Sequence, residues 1–138
     1  VERGRHWVDQ YLPYYDPENP DDQPMNHIVY RCDCSGFVSF AWQLGTSPDT
    51  TRLWQFSTNI EPYDLPPGGA INDQESGAQG HAILFVKWTD FENLNFVAYE
   101  ENYGYSGTVE NEYQLEWTGD GYSIPSLDMY NVAFQRKK

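Results

Sequence analysis

Positive charge is what this sequence most lacks. Eight Lys and Arg stand against 21 Asp and Glu, for a formal net charge of −13. Binding to nucleic acid needs cations that displace counterions from phosphates, so this surface repels nucleic acid, and it repels anionic membranes for the same reason. The expected ligand is cationic, neutral or zwitterionic. Long apolar runs are missing too: the longest, "AILFV" within "HAILFVKW", is far too short to span a bilayer. Cysteine is scarce, with Cys32 and Cys34 alone, which excludes a disulfide framework. Neither runs of like charge nor internal repeats divide the chain.

Aromatic residues are what it has in excess, at 17% of the chain with eleven Tyr and five Trp. A chain unable to bury surface shows the opposite bias, so residues 1–138 are expected to form one folded domain around a single core. Many aromatics, Asn and Gly with few cations lean towards a secreted or extracellular protein. The opening "VERGRHWVDQYL" reads as a processed or truncated start, and the protein is expected to be a monomer.

Periodicity then divides the chain into elements. Trp7, Val8, Tyr11 and Leu12 have helical spacing that Pro13 terminates, and "PYYDPENPDDQPMNH" is a proline-rich acidic loop. "DCSGFVSFAWQLG" predicts a helix with Phe37, Val38, Ala41, Trp42 and Leu44 on its apolar face. Asp33 is its N-cap, and Gly45 is the glycine that ends it. Residues 46–80 read as mostly irregular, with a short helix near Arg52–Phe56 and a turn at "DLPPGG". "HAILFVKW" reads as a buried strand and "TDFENLN" as a turn, with "FVAYEEN" returning as the antiparallel partner. "GTVENEYQLEW" and "MYNVAFQ" suggest two further strands. One strong helix ahead of a run of strands implies an α+β fold, with the helix packed on an antiparallel sheet.

The N-cap at Asp33 makes Cys34 the first residue of the helix. Unpaired amides and the positive end of the helix dipole favour an anion there, so the thiol is expected to ionise readily and act as a nucleophile. Cys32 precedes the cap in extended chain and has no such support. A thiolate needs a base, and the chain has only His6, His27 and His81. His6 and His27 lie in polar surroundings and read as surface residues. His81 opens the buried strand, where a histidine satisfied by backbone is the plain alternative. In an antiparallel hairpin, however, the end of "FVAYEEN" lies beside the start of "HAILFVKW". Glu100 and Asn102, two apart and therefore on one face, come to His81 and can fix its tautomer. Glu101 points the other way and reads as a solvated acid.

"YRCDCSGFVSFAWQL" resembles the nucleophile segment of the NlpC-type cell-wall cysteine peptidases. "DLPPGGAIN" is similar to that family's segment ahead of the histidine strand, and "GHAILFVKW" to the strand itself. These matches keep the family's order and cover roughly residues 30–102. The resemblance implies a papain-like fold and hydrolysis of amide bonds in peptidoglycan stem peptides, with Cys34 as nucleophile and His81 as base. It also implies Tyr14 as a substrate or oxyanion-side contact, and Tyr15 and Ser35 join it as expected substrate-binding residues. Gly69 departs from the family by standing where Asp is usual. "YEEN" looks more like the Glu-x-Asn of the related CHAP amidases, an analogy that makes Glu100 the third catalytic residue and Asn102 and Asp33 auxiliaries. No metal or cofactor is called for, and the partner is peptidoglycan or a short peptide. An acyltransferase or deamidase on the same fold, or an inactive wall-binding module, are the alternatives.

Overall fold

A computed structural model of the chain describes residues 33–44, 47–74, 80–102 and 107–138. The expected helix at Trp7–Leu12, the acidic loop, Tyr14, Tyr15, His6, His27, Cys32 and Gly45 all lie outside these. Within them the architecture is α+β: one α-helix, α1 (Cys34–Ala41), precedes a sheet of six strands that pair antiparallel throughout. Among the described residues no helix is long and apolar enough to cross a membrane.

Helix α1 begins where the sequence predicts. Asp33 has extended backbone, and its Oδ1 accepts from the Gly36 amide at 2.8 Å, satisfying one of the first-turn donors. The expected face is buried in full: Phe37, Val38, Ala41, Trp42 and Leu44 are all in the core. Truncating a filled position such as Phe37 to Ala costs about 3–5 kcal/mol. The C-terminus differs from expectation. The helix closes before Gly45, because Gln43 takes the left-handed conformation (φ 54°). Its amide bonds Phe40 O, and the Leu44 amide bonds Ser39 O, which together form a Schellman-type ending. The early stop leaves the Trp42 indole free to donate to Gly68 O at 2.7 Å, tying the helix to the loop before the sheet.

The strands are β1 (Ser57–Ile60), β2 (Ala70–Asp73), β3 (His81–Asp90), β4 (Asn95–Asn102), β5 (Gly107–Gln114), β6 (Glu116–Trp117), β7 (Tyr122–Ser123) and β8 (Ala133–Lys137). The large sheet runs in the order β1-β8-β2-β3-β4-β5, and β6 and β7 pair separately. The β3–β4 hairpin is as expected, although its strands extend into the predicted turn. The segment 46–80 is less irregular than expected, since it holds both β1 and β2 besides the short 3-10 turn Leu53–Phe56. The single strand expected over "GTVENEYQLEW" is broken at Leu115, which turns into the core and sends β6 to a second sheet.

Strand alternation divides the core into two. Ala70, Ala82, Leu84 and Tyr99 receive the helix, whereas Ile71, Ile83, Phe85, Phe96 and Phe134 build the opposite layer. Gly69 sits where these meet: a Cβ there would lie 2.7 Å from Leu65 Cδ1 and 3.1 Å from the carbonyls of Pro66 and Gln135. A side chain there would therefore have to displace Leu65 and press on two backbone carbonyls.

The left-handed Gln43 generates a prediction. Replacing it with Gly removes the Cβ penalty at that position and should raise unfolding stability by about 0.5–1 kcal/mol. Urea denaturation checks it, and an unchanged or lower midpoint for Gln43→Gly counts against this account of the helix end.

Candidate active site

Three side chains expected from the sequence to work together do meet. Cys34, the first residue of α1, carries a free thiol and is 8% exposed. His81, the first residue of β3, has a side chain 14% exposed, and Glu100 on β4 is fully buried. The Glu100 Oε2 lies 2.8 Å from His81 Nε2. A carboxylate only accepts, so Nε2 is the donor and Nδ1 is the ring nitrogen left over, with Cys34 close enough to act on the imidazole.

Electrostatics follow from that placement. Burial alone would lower the pKa of His81, but hydrogen bonds and charge interactions with Cys34 and Glu100 outweigh it and push the value up to about 10. The imidazole is therefore held as imidazolium through neutral pH. Strand pairing explains how it is reached. His81 is anchored through β2, opposite Asp73, while the β3–β4 ladder ends at Leu84–Tyr99. Beyond that pair β3 and β4 are no longer in register, and it is there that Cys34, His81 and Glu100 converge.

The supporting residues are less uniform. Asp33 is buried and caps α1. Ser35, expected on the substrate side, is buried with its hydroxyl turned onto Asp33 Oδ1 at 3.3 Å. Asn102 ends β4 and pairs through its backbone with Gly107; the expectation for its side chain, like those for Tyr14 and Tyr15, lies outside what is described. Among the described residues no three His, Cys, Asp or Glu side chains are grouped to hold a metal ion. A cleft of about 310 Å³ bordered by Trp42, Pro67, Arg136 and Lys137 lies near the other end of the helix and shares none of these side chains.

Glu101 corrects the sequence reading. Rather than a solvated acid, it is fully buried; the Thr108 hydroxyl donates a short bond to its Oε2, and its Oε1 has no partner among the described residues. Burial pushes its pKa up, the Thr108 bond opposes this, and the Asp33 charge adds to it, for a value of about 8. At neutral pH the side chain is thus a neutral acid. The sequence held a signal for this. "FVAY" is apolar at every position, as in a strand covered on both faces, so the two acids that follow inherit buried positions whichever way they point.

No protein-family model, curated protein or solved structure matches this chain.

Glu101 makes stability depend on pH. Its folded pKa is raised, so its contribution is intact below the unfolded value near 4.5 and is lost as pH rises through about 8. His81 acts in the same direction at higher pH. Glu101→Gln removes the first dependence alone. The variant should gain on the wild type by on the order of a few kcal/mol between pH 5 and pH 9. Urea melts at the two pH values measure this, and a constant gap would refute a neutral buried Glu101.

Proposed function

We propose that the protein is a cysteine peptidase or amidase that hydrolyses amide bonds of peptidoglycan stem peptides, on a papain-like fold. The observation that carries this is His81 held between Cys34 and Glu100, with Cys34 at the start of a capped helix and His81 and Glu100 on adjacent strands. Nucleophile, base and orienting acceptor are the three parts that covalent acyl transfer needs. A helix preceding the antiparallel sheet that bears the base is also the layout expected of the papain-like class. The wall substrate rests on the resemblance of "DCSGFV" and of the segments that follow it in order. The charge of −13 favours peptides bearing free amines over anionic ligands.

The chemistry runs through these side chains alone. The Cys34 thiolate attacks the substrate carbonyl carbon, and the carbonyl π electrons move onto oxygen. The Cys34 amide, which has no acceptor within the helix, stabilises that oxyanion, the Gly36 amide being taken by Asp33 Oδ1. The C–N bond then breaks as the leaving amine takes the proton from His81 Nδ1, leaving a thioester. Water attacks the thioester while His81 accepts one of its protons. Collapse releases the acid and restores the thiolate–imidazolium pair. Glu100 holds Nε2–H throughout, so the ring cannot turn its donor away from Cys34.

Two measurements test this reading. At pH 6.5 Cys34 should react with iodoacetamide at least about tenfold faster than free cysteine, whose thiol is then mostly protonated. His81→Ala should remove the excess. Alkylation no faster than that of free cysteine ends the nucleophile assignment. Purified peptidoglycan digested by the wild type should yield new amino termini that Cys34→Ala does not produce, with Glu100→Gln slower by at least about tenfold. Their absence, with Cys34 still reactive, would shift the function to another acyl transfer.

A further inference from the structure

At the other end of β3 from His81, about 25–30 Å along the strand, four aromatic rings form one continuous row. Phe91 and Tyr63 have centroids 5.7 Å apart, the Tyr63 and Tyr122 hydroxyls are 3.1 Å apart, and Tyr122 and Trp117 have centroids 5.0 Å apart. The row joins four separate segments: the β3–β4 turn, the 3-10 turn Pro62–Asp64, β7 and β6. Three of its rings are open to solvent, Tyr63 at 57%, Phe91 at 47% and Trp117 at 62%. Single exposed aromatics are ordinary, but a contiguous row fixed by ring and hydroxyl contacts marks a binding surface.

Charge identifies what fits it. Glu61 and Asp64 flank Tyr63, Asp90 and Glu92 flank Phe91, and Glu116 and Asp120 stand close to Trp117 and Tyr122 in the chain. No Lys or Arg occurs within two residues of any of the four rings, and among the described residues none of the six acids is in an ion pair. Asp90 stays charged, since bonds from the Asn93 side chain and backbone hold its pKa below the ordinary carboxylate value. Glu61 acts on the row directly. The Tyr122 phenol is raised above its usual pKa first by its bond to Tyr63, then by burial, and also by the charges of Tyr63 and Glu61. Electron-rich ring faces framed by unpaired carboxylates attract guanidinium and ammonium groups and repel anions.

We propose that the Phe91–Tyr63–Tyr122–Trp117 row is a docking surface for an Arg- or Lys-rich segment of a partner protein. Cations of that segment lie over the rings while the flanking carboxylates pair with them. The row shares no residue with the Cys34 site, so this inference stands apart from the reading of that site.

Calorimetric titration at 150 mM salt with an alternating Arg–Ser dodecapeptide tests it, with the Glu–Ser peptide as its counterpart. The wild type should bind the Arg peptide and not the Glu peptide. Tyr63→Ser/Phe91→Ser, which leaves the net charge untouched, should weaken binding about tenfold, and Trp117→Ser should do so independently. Glu110→Gln, a charge loss on β5 opposite Tyr99 and away from the row, should change it less than twofold. Equal binding by wild type and both aromatic variants would overturn the proposal in favour of diffuse charge. So would failure of the wild type to prefer the Arg peptide. Two further outcomes also overturn it: a neutral amino-sugar oligomer bound in the peptide's place and lost in the aromatic variants, which makes the row a glycan platform, or wild-type self-association in sedimentation lost in the same variants, which makes it a contact between copies.

Discussion

A carboxylate with no exposure has few ways to exist, and Glu100 has taken one of them: a 2.8 Å bond to His81 Nε2. Leaving such a group unpaired in the interior costs several kcal/mol, so the fold must deliver a donor to it. The donor is an imidazole at the first position of β3, anchored by pairing with β2 and not by the hairpin that carries Glu100. Satisfying the acid with one nitrogen commits the other to Cys34. The raised pKa of the histidine is thus in part a consequence of this buried contact. Breaking that contact from either side would strand the other group.

The glutamate next in the chain shows that neighbours of identical chemistry are separated by environment alone. Glu101 meets a hydroxyl and the negative charge of Asp33 where Glu100 meets an imidazole, and it remains protonated at neutral pH. Keeping Glu101 neutral spares the start of α1 a second negative charge beside Asp33, the residue that caps the helix bearing Cys34.

Local signals and tertiary ones had different legibility. Helix α1 was readable because an Asp N-cap and a 3.6-residue apolar face agree over one short segment, and the β3–β4 hairpin because two apolar runs flank an evident turn. Within that hairpin the meeting of His81 with Glu100 followed from antiparallel geometry. Strands β1 and β2 were not readable. "STNI" is too polar to announce itself, and "AIND" is buried at all four positions without alternation. β1 is held by β8, more than seventy residues later, and β2 lies between β8 and β3 and pairs with both. Gln43 was hidden for a related reason: a glycine two residues on offered the cheaper ending, whereas the left-handed turn falls on Gln43, beside a Trp42 whose indole bonds the distant Gly68 O. The burial of Glu101 was legible in "FVAY" being apolar on both faces, although an acid at a strand end is ordinarily solvated.

Strand β3 ties the two ends of the molecule together. At its start the chain buries titratable groups against one another; at its end Trp88 passes ring contacts outward from Phe85 and Phe96 to Phe91. The bulges between Phe85 and Lys87 and between Trp88 and Asp90 fall only in this second half. A bulge adds a residue to one strand and increases its local twist, and both lie just before the turn whose Phe91 meets Tyr63. The half of β3 that pairs in register with β2 carries His81, and the half with the register shifts leads by ring contacts to Phe91. One strand thus confines its irregularities to the end away from the buried charges.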